Sequence, residues 1–345
     1  MELLRAQQLV AQFSGKRVLV VGDILLDQYR AGEVERLSQE APVPILRARR
    51  EEERSGGAGN VAKNLALLGA QATLVSVVGD DPAAGVLAAA AAREGYEAVL
   101  LRDASRPTIR KVRYMAGNRQ LLRVDYEETR DIDGEVEQRL VTEIKKRVAG
   151  GVQAVIVSDY AKGVITRAVA EALLDTAGQY DVLVAADIKP SRASFFLGAT
   201  LVAPNLREGH EFLGINYQES QVAPAELAKM VYLKMCADVY LTLGKNGIYV
   251  YCGGEMGRHV QQEHVIEVAD VSGAGDTAVV VLLLSLLSGA DGAEAAELAN
   301  AGGAVVVSKV GSAGVSTDEL LAMMSEPARN SASRLNDSDA DARIV

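Results

Sequence analysis

The sequence predicts an α/β fold in which a central, mainly parallel sheet is covered by helices on both faces. The first observation is a set of short apolar runs without polar alternation, which is typical of strands buried on both faces of a parallel sheet. These runs occupy residues 17–22, 72–78, 152–157, 182–186 and 239–243. The second observation is that segments with helical spacing separate the runs, as a parallel sheet with crossover helices requires.

The predicted helices begin and end at residues that favour helix termini. Residues 58–68 place Val61 and Leu65 on one face and stop at Gly69, a natural C-terminal residue for a helix. Another helix begins near Pro82, because proline suits the first turn. Further helices are predicted at residues 165–178, 223–235, 275–288 and 292–308, and a further strand at residues 264–268.

Two segments break this alternation and predict a small β-lid beside the main sheet. Residues 28–50 alternate polar and apolar side chains, and residues 104–125 contain two short runs around Gly117-Asn118, a pattern typical of a β-hairpin. We therefore expect one domain over residues 1–325 that carries the lid. Residues 326–345 are rich in Ser, Asp, Asn and Arg, which predicts a disordered polar tail.

The composition excludes several classes of function. The 345 residues include 46 acidic and 36 basic side chains, a net charge of −10, which argues against nucleic acid as a partner. The two cysteines, Cys236 and Cys252, show no zinc-binding spacing and are expected to be reduced. The N-terminus does not read as a signal peptide, and the longest apolar run is far shorter than the ~20 residues of a membrane span. We expect a cytoplasmic protein without membrane contact.

The most informative segment is the glycine-rich turn Asp270-Val-Ser-Gly-Ala-Gly-Asp-Thr277, which precedes an apolar helix. Gly273 and Gly275 let main-chain N–H groups converge at the helix start, an arrangement that binds anions. A carboxylate at the same turn, Asp276, would repel a phosphate unless it has another task, such as accepting the proton of an attacking hydroxyl group. Phosphoryl transfer needs such a cradle and such a base. The alternative is an ordinary turn in which Asp276 caps the helix.

Together with a second glycine motif, this segment resembles the ribokinase-like (PfkB) family of carbohydrate kinases. The turn is similar to the C-terminal signature of that family, with Ser272 where the family usually has Thr. Gly56-Gly-Ala-Gly-Asn-Val-Ala62 is similar to the second signature. The motifs occur in the right order, and the resemblance extends from residue 17 to about residue 322. It implies a ribokinase-like fold and the transfer of a phosphoryl group from ATP with Mg²⁺ to a sugar-like alcohol.

Four further segments are similar to the bacterial D-glycero-β-D-manno-heptose-7-phosphate kinases of this family. They are Val21-Gly-Asp-Ile-Leu-Leu-Asp27, Glu40-Ala-Pro-Val-Pro44, Glu53-Arg-Ser-Gly-Gly57 and Ser158-Asp-Tyr-Ala-Lys-Gly163. This resemblance implies phosphorylation of the anomeric hydroxyl group of heptose 7-phosphate, which supplies nucleotide-activated heptose for cell-surface glycans. Many such kinases are fused to an adenylyltransferase domain. Only the short tail follows residue 325 here, so the stand-alone type is expected.

The resemblance also assigns roles around the sugar. Asp276 is the expected general base, and the expected anion cradle consists of the main-chain amides of Gly273, Ala274 and Gly275. The expected sugar-binding residues are Asp23, Asp27, Gly56, Gly57 and Asn60. A carboxylate such as Asp27 can accept hydrogen bonds from two neighbouring sugar hydroxyl groups. The residues alone also permit Asp23 to be a solvated strand-end carboxylate and Asn60 to be a helix cap.

On the nucleotide side, Asn205 and Glu208 are similar to the family's N-x-x-E element, which holds Mg²⁺ through water. Mg²⁺ keeps several waters and binds few protein ligands, so one amide and one carboxylate suit it. The alternative is a helix cap with a first-turn glutamate. Thr242 and Gly244 are expected near ATP, although the same pair fits a hairpin turn. The remaining expectations are contact of Asn300 with adenine and a monovalent cation such as K⁺ near Asp270.

Basic residues crowd the predicted lid of this otherwise acidic protein. They are Arg110, Lys111, Arg113, Arg119 and Arg123. A substrate that already carries a phosphate needs such a clamp, with Arg113 as the expected ligand and Lys162 as a second candidate at a strand end. The alternative is protection of an exposed sheet edge by charge. The resemblance also implies a homodimer that pairs through the lid.

Three other functions stay open at this stage. The nearest is a ribokinase-like kinase for another sugar or sugar phosphate. The second is a catalytically silent sugar-binding regulator, against which the intact Asp276 and both glycine motifs argue. The third is a dinucleotide-binding oxidoreductase, which is disfavoured because Gly22 is followed by Asp23 and Ile24 instead of fingerprint glycines.

Overall fold

The computed structural model describes residues 1–117, 119–254, 257–264, 267–309, 311 and 313–325. The predicted tail at residues 326–345 and Asn118 of the predicted hairpin turn lie outside them. The described strands are β1 (Arg17–Gly22), β2 (Ile24–Leu37), β3 (Pro44–Gly57), β4 (Gln71–Gly79), β5 (Glu97–Asp103), β6 (Arg110–Ala116), β7 (Arg119–Tyr126), β8 (Ala154–Ser158), β9 (Leu183–Asp187), β10 (Leu201–Val202), β11 (Asp238–Thr242), β12 (Ile248–Tyr251) and β13 (Arg258–Val260).

The helices alternate with these strands along most of the chain. They are α1 (Leu3–Ala11), α2 (Ala58–Leu67), α3 (Pro82–Glu94), α4 (Gly134–Ala149), α5 (Arg167–Gln179), α6 (Leu206–Phe212), α7 (Pro224–Met235), α8 (Ala274–Leu287), α9 (Gly292–Val307) and α10 (Thr317–Ser325). None of these described helices combines the length and the apolar character needed to cross a bilayer.

A large sheet of nine strands runs through the described residues in the order β13-β12-β11-β10-β9-β8-β1-β4-β5. Neighbouring strands from β11 to β5 are parallel, and β12 and β13 add antiparallel pairs at one edge. The central strand β1 aligns Val20 with Leu74 of β4 and with Ile156 of β8. This is the mainly parallel sheet that the apolar runs predict.

Each face of the large sheet has its own apolar core because side chains alternate along a strand. In β1, Val18 and Val20 join the core under α2, α8 and α9, and Leu19 and Val21 join the core under α4, α5 and α7. Both faces of the strand are therefore buried by helices. This two-sided burial explains why the predicted strands lack polar alternation.

A second sheet of four described strands, which we call the small sheet, runs β3-β2-β6-β7 and corresponds to the predicted lid. The chain passes from β1 into β2 through one residue, Asp23. Residues 24–28 of β2 are buried, whereas residues 33–37 are exposed. The small sheet therefore begins at the carboxyl end of β1 and extends into solvent.

One predicted strand is wrong. Residues 264, 267 and 268 have no strand structure, and residues 265 and 266 lie outside the described part of the chain. The strand that precedes the glycine-rich turn is β13, which ends at Val260. Helix α4 was not predicted, because it is polar except for the face of Leu140, Ile144 and Val148.

Candidate active site

The glycine-rich turn places Asp276 in the first turn of α8. Gly273 precedes the helix with φ 82°, in the left-handed region that favours glycine. A Cβ atom at this position would lie 2.8 Å from Asn60 Nδ2, so space also restricts the position to glycine. Asp276 is only 6% exposed. The turn therefore holds a carboxylate inside the protein at a helix N-terminus.

Both carboxylate oxygens of Asp276 accept a hydrogen bond from another element. Asn60 Nδ2 of α2 donates to Oδ2 over 2.7 Å, and the Tyr160 hydroxyl group donates to Oδ1 over 2.7 Å. Burial raises the pKa of Asp276, while the two donors and the nearby charge of Lys189 oppose that rise. The result is a positioned carboxylate with a higher proton affinity than a surface aspartate, which suits a general base.

The N-terminus of α8 also presents main-chain N–H groups without partners. No acceptor in the described part of the chain meets the N–H groups of Gly273, Gly275 or Asp276. Ala274 differs from the expectation, because its N–H donates to Val271 O over 3.3 Å. Gly275 is exposed, and open space surrounds it. With the helix dipole, these open amides can bind an anion such as a phosphate.

Asp27 and Arg113 lie together on the small sheet. Asp27 of β2 is only 5% exposed and forms an ion pair with Arg113 of β6. The Arg113 guanidinium lies 5.3 Å from the centre of the Tyr29 ring. A Cβ atom at Gly56 would collide with Asp27 Oδ2, so the neighbouring position requires glycine. The charge of Asp27 also contributes to the raised pKa of Asp276, after the larger effect of burial.

The carboxylate of Asp23, at the junction of the two sheets, is enclosed by main-chain donors. Its Oδ2 accepts hydrogen bonds from the N–H groups of Tyr160 and Lys162, and its Oδ1 accepts one from Val164, over 2.8–3.1 Å. Burial raises the pKa of Asp23, and these hydrogen bonds oppose the rise. Asp23 thus holds the loop that follows β8. Its expected contact with the sugar stays a prediction.

Helix α2 begins at a tight turn that brings Asn60 to the base. Gly57 has φ 59°, and a Cβ atom there would collide with the main-chain oxygen of Asp23. Because Gly57 is the N-terminal cap of α2, the alternative that Asn60 caps the helix does not apply. Asn60 is 1% exposed, and its Oδ1 has no partner among the described residues.

Two acidic residues that the sequence analysis did not assign lie at the ends of β8 and β9. Burial, together with the charge of Asp23, raises the pKa of Asp159 to about 6. Burial, and then the charges of Asp276 and Glu208, raise the pKa of Asp187 to about 7. Parallel strands thus bring several carboxylates to one edge of the sheet. A cation among them would relieve their repulsion.

Asn205 and Glu208 form a capping box at the start of α6. Asn205 Oδ1 accepts from Glu208 N over 2.9 Å, and Glu208 Oε2 accepts from Asn205 N over 3.2 Å. Glu208 Oε1 accepts from Lys189 Nζ over 2.7 Å. In the described ranges, no three His, Cys, Asp or Glu side chains converge closely enough to hold a metal directly. Glu208 and Asp187, whose charges act on each other, suit an ion held through water, as Mg²⁺ prefers.

Replacement of Asp187 with asparagine is expected to stabilise the metal-free protein at pH 8. The folded-state pKa of Asp187, about 7, lies above its ordinary value of 3.8, so the ionised side chain costs stability above pH 7 and the cost disappears as the pH falls. The unfolding temperature should rise by about 2–4 °C at pH 8 and by less at pH 5. Thermal unfolding with and without Mg²⁺ measures this.

The control for that experiment is the exposed Asp175, whose change to asparagine should have no comparable effect. Addition of Mg²⁺ should stabilise the wild-type protein more than the Asp187→Asn variant. Equal unfolding temperatures for the variant and the wild-type protein at pH 8 would show that the ionised Asp187 side chain does not destabilise the folded protein.

Thr242 and Gly244 follow β11 and lie beside Asn205. The Thr242 N–H donates to Pro204 O over 2.9 Å, and Thr242 forms a bridge with Asn205. Gly244 has φ 57° and begins the turn that joins β11 to the antiparallel strand β12. The hairpin alternative is therefore present in the structure. The expected contact of both residues with ATP stays a prediction.

Asn300, Asp270 and Lys162 all have partners within the protein. These are the main-chain oxygens of Val260 and Gln261 for Asn300, the N–H groups of Ser272 and Gly311 for Asp270, and Glu127 Oε1 for Lys162. The bonds hold each side chain in place before a ligand binds. The expected contacts with adenine, K⁺ and a substrate phosphate stay predictions.

Four residues of this site were missed by the sequence analysis: Asp159, Tyr160, Asp187 and Lys189. Each lies at or just after the carboxyl end of β8 or β9, where open α/β sheets bind ligands. That position was a usable signal for Asp187, which directly follows the strand predicted at residues 182–186. The bond from Tyr160 to Asp276 joins residues 116 positions apart, so only the folded structure reveals it.

The chain matches known proteins over most of its length. The model of the pfkB family carbohydrate kinases matches residues 16–319. The bifunctional protein HldE of Bradyrhizobium diazoefficiens is 40% identical over 321 residues, which cover 92% of this chain and 65% of that relative. This chain thus spans slightly less than two thirds of the length of that relative. The expected stand-alone form stays a prediction.

Solved structures share the fold. Phosphofructokinase-2 of Escherichia coli in complex with potassium matches with a TM-score of 0.72 and 16% identity, over 90% of this chain and 98% of that chain. Ribokinase of Arabidopsis thaliana complexed with ribose and ATP matches with a TM-score of 0.68 and 17% identity, over 91% and 100% of the two chains. The expected ribokinase-like fold is thereby confirmed.

Proposed function

Because this chain belongs to the pfkB family of carbohydrate kinases and is an ATP-dependent sugar kinase, we propose that it phosphorylates D-glycero-β-D-manno-heptose 7-phosphate at O1. The product is the 1,7-bisphosphate, which would supply nucleotide-activated heptose for cell-surface glycans. Two lines of support favour this sugar. Four sequence segments are similar to heptose-7-phosphate kinases, and the relative named HldE is 40% identical to this chain.

The observation that carries the proposal is the presence of Asp276 and open N–H groups in one helix turn. A sugar hydroxyl group beside Asp276 gives its proton to the carboxylate while its oxygen attacks the γ-phosphorus of ATP, and ADP leaves. The N–H groups of Gly273 and Gly275 are available to stabilise the charge on the transferred group. Asn60 and Tyr160 hold the carboxylate in one orientation during this step.

The carboxylates at the end of β9 and at the start of α6 are the residues that would hold Mg²⁺. The ion neutralises phosphate charge when it is bound with ATP. Glu208 and Asp187 offer oxygen ligands. Burial, and then the neighbouring charges of Asp276 and Glu208, raise the pKa of Asp187, and a cation would offset those charges. Asn205 lies in the same capping box. A monovalent cation such as K⁺ near Asp270 is also part of the proposal.

Arg113 is the proposed ligand of the substrate's existing phosphate. Its guanidinium is held on the small sheet between Asp27 and the Tyr29 ring, so it is oriented before the substrate binds. Lys111 lies opposite Asp27 in the pairing of β6 with β2, which adds a second cation on the same strand. Asp27 is the proposed acceptor for sugar hydroxyl groups.

Replacement of Arg113 with alanine is expected to raise the KM for the sugar phosphate by about 10–100-fold, because hydrogen bonds to a charged phosphate are each worth about 1.5–3 kcal/mol. The loss of kcat should be much smaller, because the contact is equally strong before and during transfer. Steady-state ADP release at varied sugar phosphate measures both constants. Arg119→Ala on the same sheet is the control. If Arg113→Ala lowered kcat and left KM unchanged, the proposed role of Arg113 as ligand of the phosphate would be contradicted.

A panel of sugars tests the proposed reaction as a whole. ADP release would be measured with MgATP and heptose 7-phosphate, unphosphorylated heptose, fructose 6-phosphate or ribose. The highest kcat/KM is expected with heptose 7-phosphate. Turnover of only unphosphorylated sugars would reject the substrate, and ATP binding without any turnover would favour the silent regulator. An Asp276→Asn preparation reports the background from contaminating kinases.

We also propose that two chains pair through the small sheet. Its outer part and the connection between β2 and β3 expose Leu37, Val43 and Leu122, which are 62%, 51% and 56% exposed. A partner chain that covered these side chains would remove their apolar surface from water. A measured solution mass equal to one chain would reject the pairing.

A further inference from the structure

Two described side chains donate to Asp276, and of these Tyr160 lies on a loop. Asn60 approaches the base from the regular helix α2, whereas Tyr160 belongs to the segment between β8 and α5. The Tyr160 hydroxyl group still lies 2.7 Å from Asp276 Oδ1, as close as the Asn60 amide is to Oδ2. A side chain on a loop can keep such a distance only if the loop itself is fixed.

Asp23 fixes this loop through the main chain. Its carboxylate accepts three hydrogen bonds from alternate residues of the loop, beginning with Tyr160 itself at 2.8 Å. Ala161, next to Tyr160, has φ 54° and donates its N–H to Asp159 Oδ1 over 2.8 Å. Gly163 has φ 92°, and a Cβ atom there would collide with Arg130 O. These contacts hold the main chain of the loop in one conformation, and in that conformation the Tyr160 hydroxyl group reaches Asp276.

The surroundings of Asp276 favour its protonated form, and a hydrogen-bond donor opposes that effect. Among the described residues, the charges of Asp27 of β2 and of Lys189, which follows β9, act on Asp276, and the charge of Asp276 acts on Asp187 of β9. Burial and Asp27 raise the pKa of Asp276, and Asn60, Tyr160 and Lys189 oppose the rise. A base that is protonated cannot accept the proton of a sugar hydroxyl group.

We propose that Tyr160 is a positioning residue for phosphoryl transfer: it holds one oxygen of Asp276 and favours the ionised base, and Asp23 acts through Tyr160. The hydroxyl proton stays on Tyr160, because burial and the charge of Asp276 raise the pKa of Tyr160 well above its ordinary value. Tyr160 therefore donates a hydrogen bond without exchanging a proton with the base. This inference rests on the proposed function, since it assigns Asp276 as the base.

The first test compares the pH profiles of wild-type and Tyr160→Phe protein by ADP release. Without the donor, the acid limb of the kcat/KM profile is expected to move to higher pH by about one unit. The reason is that the free energy of a hydrogen bond to a charged group corresponds to about one pKa unit. The ratio of variant to wild-type activity should fall about tenfold towards low pH and recover at high pH. This ratio cancels the titration of ATP. An unchanged profile would overturn the inference.

The control variant is Tyr180→Phe, which removes the hydroxyl group of a tyrosine that is 53% exposed and should leave the profile unchanged. Asp23→Asn should move the acid limb in the same direction as Tyr160→Phe. In the double variant the shift should not exceed that of Tyr160→Phe alone, because Asp23 acts through Tyr160. Additive shifts would contradict that connection.

The second test needs no turnover. If Tyr160 favours the ionised base, Tyr160→Phe should lower the unfolding temperature more at pH 8 than at pH 5. The difference between the two pH values should vanish when Asp276→Asn is already present. A loss independent of pH, or one that persists with Asp276→Asn, would mean that Tyr160 is only structural. If no sugar is turned over, the proposed function fails. The unfolding temperatures of the single and double variants at Tyr160 and Asp276 still decide the role of Tyr160.

Discussion

Replacement of Asp276 with asparagine is expected to lower kcat by about 10²–10⁴-fold, the usual contribution of a positioned general base. Asparagine keeps the size of the side chain but has no oxygen basic enough to take a proton from a sugar hydroxyl group. The Asn60 amide can still donate to its remaining oxygen, and the Tyr160 hydroxyl group can turn to accept from its amide. The site should therefore keep its shape while it loses the chemistry.

The measurement is the rate of ADP release at saturating MgATP and sugar phosphate, with purified protein free of other kinases. Binding of ATP and the unfolding temperature serve as controls: ATP binding should stay close to the wild-type value, and the unfolding temperature should not fall. The exposed Asp80→Asn variant reports any general effect of losing a charge. Turnover of the Asp276→Asn protein at the wild-type rate would remove the basis of the proposed mechanism.

Replacement of Asp23 with alanine is expected to give the largest loss of stability. Three main-chain N–H groups of the loop after β8 would lose their acceptor, and each buried group without a partner costs about 1–3 kcal/mol. Asp23 is completely buried, so water does not replace the carboxylate without opening the site. The free energy of unfolding should fall by at least about 3 kcal/mol, as judged by unfolding in urea.

Asp23→Asn is the matched variant for that measurement, because one side-chain oxygen remains to accept from the loop. Its loss of stability should lie between those of the wild-type protein and Asp23→Ala. Asp80→Ala, which removes an exposed carboxylate, should be close to neutral. An Asp23→Ala protein as stable as the wild-type chain would mean that the three hydrogen bonds do not hold the loop.

The sequence predicts the strands and helices well where both faces of the sheet are buried. The runs at residues 17–22 and 72–78 coincide closely with β1 and β4, because two-sided burial leaves a strong apolar signal. The strand at residues 264–268 was wrong, because a short apolar segment beside a turn carries no information about its pairing. Helix α4 was missed because only one narrow face of it is apolar.

The sequence predicts where the candidate site lies but not which residues contact one another within it. The glycines and Asp276 lie in one local motif, so their spacing already indicates the helix start. The partners of Asp276 come from distant segments, and only folding brings Tyr160 to it. The enclosure of Asp23 by main-chain donors was also invisible, because backbone N–H groups have no signature in a sequence.

The direct passage from β1 into β2 has a consequence for how substrate range can change. Only Asp23 lies between the last residue of β1 and the first residue of β2. This connection therefore has no linker that could accommodate an inserted or deleted residue. Because side chains of a strand alternate, a shift of one residue would turn Asp27 to the opposite surface of the small sheet. Changes of sugar preference in engineered variants should therefore be sought by point substitution, or by altering the length of the connection between β6 and β7, and not at this junction.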